Sequence, residues 1–141
     1  MTMLSELQFT EARSQFSTLY DSVFNSFNPA IIKRKQTEQV ALLRVDLLKM
    51  LLNDYKLNPE IIHEEDSSIT LALDSLEMYA NNSTTDLAAK DLVEDLKIYA
   101  QDYMERSQLF FHAPNRKSHF PYVLKILLCD NDEEIRTLLG L

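Results

Sequence analysis

One residue in 141 is glycine, and it sits at position 140. Loops that cradle phosphate and turns that bind dinucleotides need glycine where the backbone must approach its ligand. Neither can be built from this chain, so nucleotide-dependent enzymes are poor candidates.

The front of the chain, residues 7–52, orders helices around two short apolar runs. Residues 4–9 (LSELQF) alternate apolar and polar side chains and read as a short strand. Thr10 reads as an N-cap, with Glu11 in the first helical turn. Ala12, Phe16, Leu19, Val23 and Phe27 have the spacing of one buried helix face. Arg13 then falls at the third helical position, where a capping box prefers Glu or Gln and where the helix dipole disfavours a cation. It is either an ordinary exposed arginine or a charge kept for an anion outside the protein. Residues 25–29 break the helix, and residues 30–33 and 39–44 read as strands joined by a turn through Arg34, Lys35, Gln36 and Thr37. Asp46 can cap a second helix carrying Leu47, Leu48, Leu51, Leu52 and Tyr55, which Asn58-Pro59 ends.

Residues 59–68 (PEIIHEEDSS) read as a linker, and Ile69–Leu73 as a short apolar run. Ser83 and Asp86 are spaced like a capping box ahead of the strongest periodic signal in the chain, a helix over about residues 85–107. Leu92, Leu96, Tyr99 and Tyr103 form its stripe, widened by Ala88, Ala89, Val93 and Ala100. Residues 110–120 read as a loop rich in aromatic and basic side chains. Pro121 opens a further helix reaching Leu128, and Asp130 with Glu133 fits the capping box of a last helix that Gly140 ends.

The formal charge is −8, but it is unevenly spread. Residues 1–58 carry seven Lys/Arg against six Asp/Glu, a net of +1, whereas residues 59–141 carry seven against sixteen, a net of −9. A near-neutral front with clustered cations and a strongly acidic back suggest two jobs, or one job and its regulation. Cys129 is the one cysteine, so no intramolecular disulfide can form, which fits a reducing cytoplasm. No charged-then-apolar leader opens the chain, and no apolar run approaches the ~20 residues of a membrane span. A soluble cytoplasmic protein without membrane contact is expected.

The front pattern resembles the Phd/YefM family of type II antitoxins. The matching pieces are Thr10-Glu11-Ala12-Arg13 with Phe16, then Pro29-Ala30-Ile31-Ile32-Lys33-Arg34-Lys35, then Val40-Ala41-Leu42-Leu43, covering roughly the first third of the chain. The resemblance implies a homodimer that binds palindromic operator DNA and represses its own operon. It implies that Arg13 points into the major groove with Thr10 or Gln8 beside it. Arg34, with Lys33 and Lys35, would contact phosphate from the hairpin turn, in keeping with the suitability of arginine for guanine edges and phosphate. It also implies a cognate toxin, commonly a basic ribonuclease whose cationic channel an acidic antitoxin can cover. The chain departs from the family at the turn, where glycine is usual and Lys35-Gln36-Thr37 stands here, and in its long remainder, which has the periodicity of a folded unit. Within that remainder, Ile69 to Tyr103 is similar to a HicB-type half, through Ala89, Asp91, Leu92, Glu94, Asp95 and Leu96.

Other constellations point to ordinary structure. His63 with Glu64 and Glu65 matches no common metal-ligand spacing, and adjacent residues point apart, so no metal or cofactor is expected. Cys129 with His119 lacks any nucleophile signature and reads as a buried thiol. Arg116 and Lys117, flanked by Phe110, Phe111, His112, His119 and Phe120, can bind single-stranded nucleic acid or a protein, or face solvent over phenylalanines folded inward. The acidic runs 64–66 and 130–134 are solvated surface and helix caps, or a surface for a basic partner.

The expected fold is α+β. A Phd/YefM-like domain at residues 1–58, with a short three-stranded sheet and helices, dimerises and binds DNA. A linker follows at 59–68, and an acidic, mainly helical domain at 69–141 binds the partner. The function expected is a non-enzymatic antitoxin and repressor. The alternative is a protein-interaction module that uses its front domain only to dimerise.

Overall fold

The computed structural model describes residues 3–141. The chain divides into two units, Met1–Leu51 and Leu52–Leu141.

In the front unit, strand β1 (Ser5–Gln8) leads into helices α1 (Phe9–Ser14) and α2 (Phe16–Ser26), then strands β2 (Ala30–Arg34) and β3 (Glu38–Leu42) and helix α3 (Val45–Leu51). β1 pairs with β2 in parallel, with Gln8 opposite Lys33, and β2 pairs with β3 antiparallel, with Arg34 opposite Glu38. A parallel pair needs a crossover, and α1 with α2 supplies it. Ala12, Leu19, Val23 and Ala30 are buried between helices and sheet, with Leu7, Ile32 and Leu42 packed against them.

Three expectations are corrected here. The first helix is two, because the backbone breaks at Gln15 (φ −119, ψ 28). Ala12, Leu19 and Val23 of the expected face go in, while Phe16, beside the break, and Phe27, the left-handed residue that ends α2, stay exposed. The helix also begins at Phe9, because β1 ends at Gln8 and its extended backbone feeds straight into the first turn. Thr10 therefore lies inside α1 and caps nothing, and Arg13 sits in its last turn, where the dipole favours a cation. Finally, α3 stops at Leu51, and Leu57 belongs to the core of the second unit, so the boundary comes earlier than residue 58.

With one glycine available, left-handed turn positions fall to L-residues. Phe27 (φ 61) ends α2, and Lys35 and Gln36 (φ 54 and 64) make the β2–β3 turn. Each costs roughly 1–2 kcal/mol of backbone strain.

In the back unit, strands β4 (Glu60–His63), β5 (Ile69–Leu73) and β6 (Met78–Asn82) form an antiparallel meander. Helix α4 (Thr85–Glu105) lies against β5 and β6 and also packs on α6 (Phe120–Leu127) and α7 (Asp132–Leu139); the short α5 (Ser107–His112) follows α4 directly. The predicted α4 stripe is buried at Ala88, Ala89, Leu92, Val93, Leu96, Ala100 and Tyr103, and it packs with Leu71, Leu73, Leu76, Val123 and Ile126.

The back half was expected to be mainly helical, yet it holds a sheet of its own. Residues 59–68 are not a linker, since they supply β4 and the turn into β5. β6 (MYANN) gives no apolar alternation; the ladder to β5 holds it, together with Asn81 Nδ2, which donates to Thr70 Oγ1 (2.9 Å) and Ser68 Oγ (3.0 Å). The cap of α4 is Thr84, whose Oγ1 accepts from Leu87 N at 3.2 Å, rather than Ser83. The expected loop 110–120 contains the end of α5 and a 3-10 turn at Lys117–His119. The last cap is Asn131, accepting from Glu134 N at 2.9 Å, while the Glu134 carboxylate accepts from Asp130 N.

Candidate functional site

Parallel strands end at the same edge of a sheet. The pairing of β1 with β2 therefore brings Gln8 and the first turn of α1 to the same end as Lys33, Arg34 and the turn residue Lys35. The Arg34 guanidinium lies over the Phe9 ring, 4.7 Å from its centroid. Gln8, Thr10, Arg34 and Lys35 are exposed. Lys33 is half-buried, and its Nζ meets Glu6 Oε2 at 3.3 Å, so its charge is answered within the sheet. Arg13 is exposed but stands at the far end of the six-residue α1, away from the N-terminal turn where it was expected. Four predicted residues thus share one end of the sheet, Thr10 lies beside them in the first turn of α1, and Arg13 lies in its last turn.

Arg44 went unnoticed in the sequence, where it read as the last residue of a strand. Its Nη1 donates to the carbonyl oxygen of Phe24 at 2.7 Å, which is one of the orphan carbonyls in the last turn of α2. Its guanidinium lies 4.0 Å from the Phe24 ring centroid and 3.9 Å from that of Phe27, and Nε and Nη2 each donate to Asp46 at 3.0 Å. The hydrogen bond from Arg44 holds the Asp46 carboxyl below its ordinary range. Beside this cluster, Tyr20, Val23, Leu42 and Val45 line an open groove.

The second unnoticed feature is an aromatic stripe on α2. Phe16, Tyr20 and Phe24 follow one another at four-residue spacing, with ring centroids 6.5 and 6.3 Å apart, and about half of each side chain's surface is open to solvent. The spacing was readable, but the reading of Phe16 as core concealed it.

In the back unit, the buried polar group is His119. Its Nδ1 lies 2.6 Å from the Tyr99 hydroxyl, which also accepts from Arg116 Nη1 at 3.2 Å; the Tyr103 hydroxyl donates to the Arg116 carbonyl oxygen at 3.0 Å. Burial pushes His119 below its ordinary value, and the Arg116 charge adds to this against a smaller pull from Glu77. Burial likewise pushes the Tyr103 phenol up. A neutral imidazole accepting from Tyr99 fits both, and it fixes the corner between α4 and the 3-10 turn. Phe110 and Phe120 pack on Tyr103, while Phe111 stays exposed under Lys117. Cys129 is half-buried, with Sγ donating to the Lys125 carbonyl oxygen at 3.6 Å. Among the described residues no three His, Cys, Asp or Glu side chains converge as a metal site would need, and no helix is long and apolar enough to cross a membrane.

A family model described as PHD-like, antitoxin of toxin–antitoxin, RelE/RelB, TA system, matches residues 3–141. A crystal structure described as an antitoxin part of a proposed toxin/antitoxin system from Syntrophomonas wolfei subsp. wolfei is similar over 96% of each chain, at 34% identity and a TM-score of 0.86. No curated protein matches the chain. The family match spans both units, where the sequence pattern had reached only the front one. The chain belongs to the PHD-like family of toxin–antitoxin antitoxins.

Proposed function

We propose that this antitoxin neutralises its cognate toxin by direct binding and represses its own operon as a homodimer on palindromic DNA. The observation that carries the DNA reading is the parallel β1–β2 pairing, which sets Gln8, the start of α1, Arg34 and Lys35 at one end of the front sheet. There, Arg34 and Lys35 contact phosphate, Gln8 and Thr10 face the duplex, and Arg13 reaches a base edge from the last turn of α1. Lys33, held by Glu6, contributes least.

Dimerisation is supported by the size of the front core. Among the described residues of Met1–Leu51, four are buried apolar side chains, two of them alanine. A unit of ~50 residues with so little buried is marginal by itself. Phe16, Tyr20 and Phe24 remain exposed beside Val45 and the groove, and a second copy covering them would complete the core.

The second reading keeps the front unit for dimerisation alone. It is favoured by the ion pair that answers Lys33 and by the stacking of Arg34 on Phe9. Titration of the full chain onto its own upstream DNA at rising salt separates the two. The proposal expects a salt-sensitive shift, and Arg34→Ala with Lys35→Ala together lowers the slope of log affinity against log salt by roughly two. Arg13→Ala relaxes sequence preference. Absence of a shift, or a shift that all these changes leave untouched, overturns the DNA reading.

A further inference from the structure

The buried stripe of α4 faces the sheet and α6, which leaves its opposite side to solvent. On that side Ile98 is 57% exposed. The six residues that neighbour it on a helix surface, three, four and seven positions away, are Asp91, Glu94, Asp95, Gln101, Asp102 and Glu105: five acids and a glutamine. Asp95 and Glu105 have no ion-pair partner among the described residues. The nearby cation Lys97 is already held by Asp132 at 3.0 Å and by Glu94 at 3.5 Å. One turn beyond Asp91, exposed Leu87 continues the same side. A branched aliphatic among five acids and a glutamine, with Asp102 of that ring paired to Arg106 at 3.6 Å, has the anatomy of a binding hot spot, an apolar anchor with a polar surround.

We infer that this outward face of α4 is the surface that docks the toxin, entering a small apolar pocket rimmed by Lys and Arg. The inference rests on the antitoxin reading above. The occupant follows from charge. Residues 59–141 carry a net of −9, so a second copy presenting the same face would meet like with like, whereas a basic chain is attracted and oriented. The mode is a helix laid into a groove, in which the apolar anchor supplies affinity and the acid ring supplies approach rate and partner choice. Asp91, which accepts from Asn82 Nδ2 at 2.8 Å, is held by β6 and ties the ring to the sheet.

The test uses the full chain and, as probe, the polypeptide encoded by the open reading frame adjoining this gene. Binding is measured by calorimetry and by rescue of growth on co-expression. Ile98→Ser, and separately Asp95→Lys with Asp102→Lys, should each weaken binding by about tenfold or more. Glu64→Lys with Glu65→Lys, the same charge change on the β4–β5 turn, should leave it unchanged. The side chains altered are exposed except that of Asp102, which is half-buried and paired with Arg106, and thermal melts confirm that each variant stays folded. If the wild type binds and the α4 variants bind as tightly, the α4 face is overturned and the antitoxin reading stands. If the wild type neither binds nor rescues, direct neutralisation of that partner fails, and this inference with it. Sedimentation showing that the chain alone associates through α4, abolished by Ile98→Ser, assigns the face to a second copy and overturns the inference.

Discussion

Replacing Arg44 by methionine tests how the front unit holds its second helix. Methionine keeps much of the apolar stem and removes the guanidinium. The Arg44 side chain is 18% exposed, and its guanidinium donates to the Phe24 carbonyl at 2.7 Å and lies over the rings of Phe24 and Phe27. A hydrogen bond to a charged donor contributes ~1.5–3 kcal/mol, and each cation–π contact at a half-open site ~0.5–1 kcal/mol. The Asp46 side chain is 57% exposed, so its pair with Arg44 adds little. The expected loss is therefore about 3 kcal/mol. A unit of this length has a total stability of only ~3–8 kcal/mol on per-residue averages, so the loss takes much of it. Hydrogen exchange read by mass spectrometry on the full chain resolves the outcome by segment. Protection should collapse across α2 and the β2–β3 hairpin and persist in α4, because Phe24, Phe27 and Asp46, which Arg44 holds, all lie in the front unit. Unchanged protection in α2, or an equal loss in both units, would refute the assignment of Arg44 as the cap of α2.

Two further outcomes follow from backbone strain and from burial. Gln36→Gly relieves a left-handed L-residue costing ~1–2 kcal/mol and adds ~0.5–1 kcal/mol of unfolded-chain entropy, so the front unit should gain up to about 1 kcal/mol; a loss of stability by denaturant titration would show that the turn is not strained. His119 is neutral when folded and has its pKa lowered by burial. The unfolded chain thus takes up the proton first, and the contribution is complete above the ordinary value of about 6.5 and falls as pH drops through it towards the folded value. The urea midpoint of the back unit should decline between about pH 7.5 and pH 5.5, and His119→Asn should shrink that decline while costing ~0.5–1.5 kcal/mol at the upper pH. Equal declines in both proteins would exclude His119 as the group responsible.

What could be read in advance was what repeats. Helix α4 announces itself because eight apolar residues recur at one spacing, and its bounds, Thr85–Glu105, fall within two residues of those expected. The order of strands and helices in the front unit was legible for the same reason. β6 was not, because MYANN carries no alternation; its ladder partners and the Asn81 hydrogen bonds exist only once β5 is in place. Caps were placed one residue off at both α4 and α7, since Ser83 and Thr84, or Asp130 and Asn131, are nearly equivalent until the backbone chooses. At α1 the same small error had a larger consequence. Moving the helix start from residue 11 to Phe9 carries Arg13 from a turn that repels cations to one that favours them, and the argument for an external anion from strain disappears. What remains for Arg13 is exposure and the resemblance.

The two units differ in how much they owe to themselves. The back core joins seventeen buried residues from every layer, including Tyr103 and a run of leucines, whereas the front core has four. The front unit also bears strain at Phe27, Lys35 and Gln36 that glycine would have removed. Ser67 and Glu77 carry the same strain in the back unit, so three of the five left-handed L-residues among the described residues fall in the unit with the least burial to offset them. Such a unit is expected to gain its stability from what it binds, so that folding, dimerisation and DNA contact rise together with concentration. The measurable consequence is a protection against hydrogen exchange in α2 that grows with protein concentration, while protection in α4 does not.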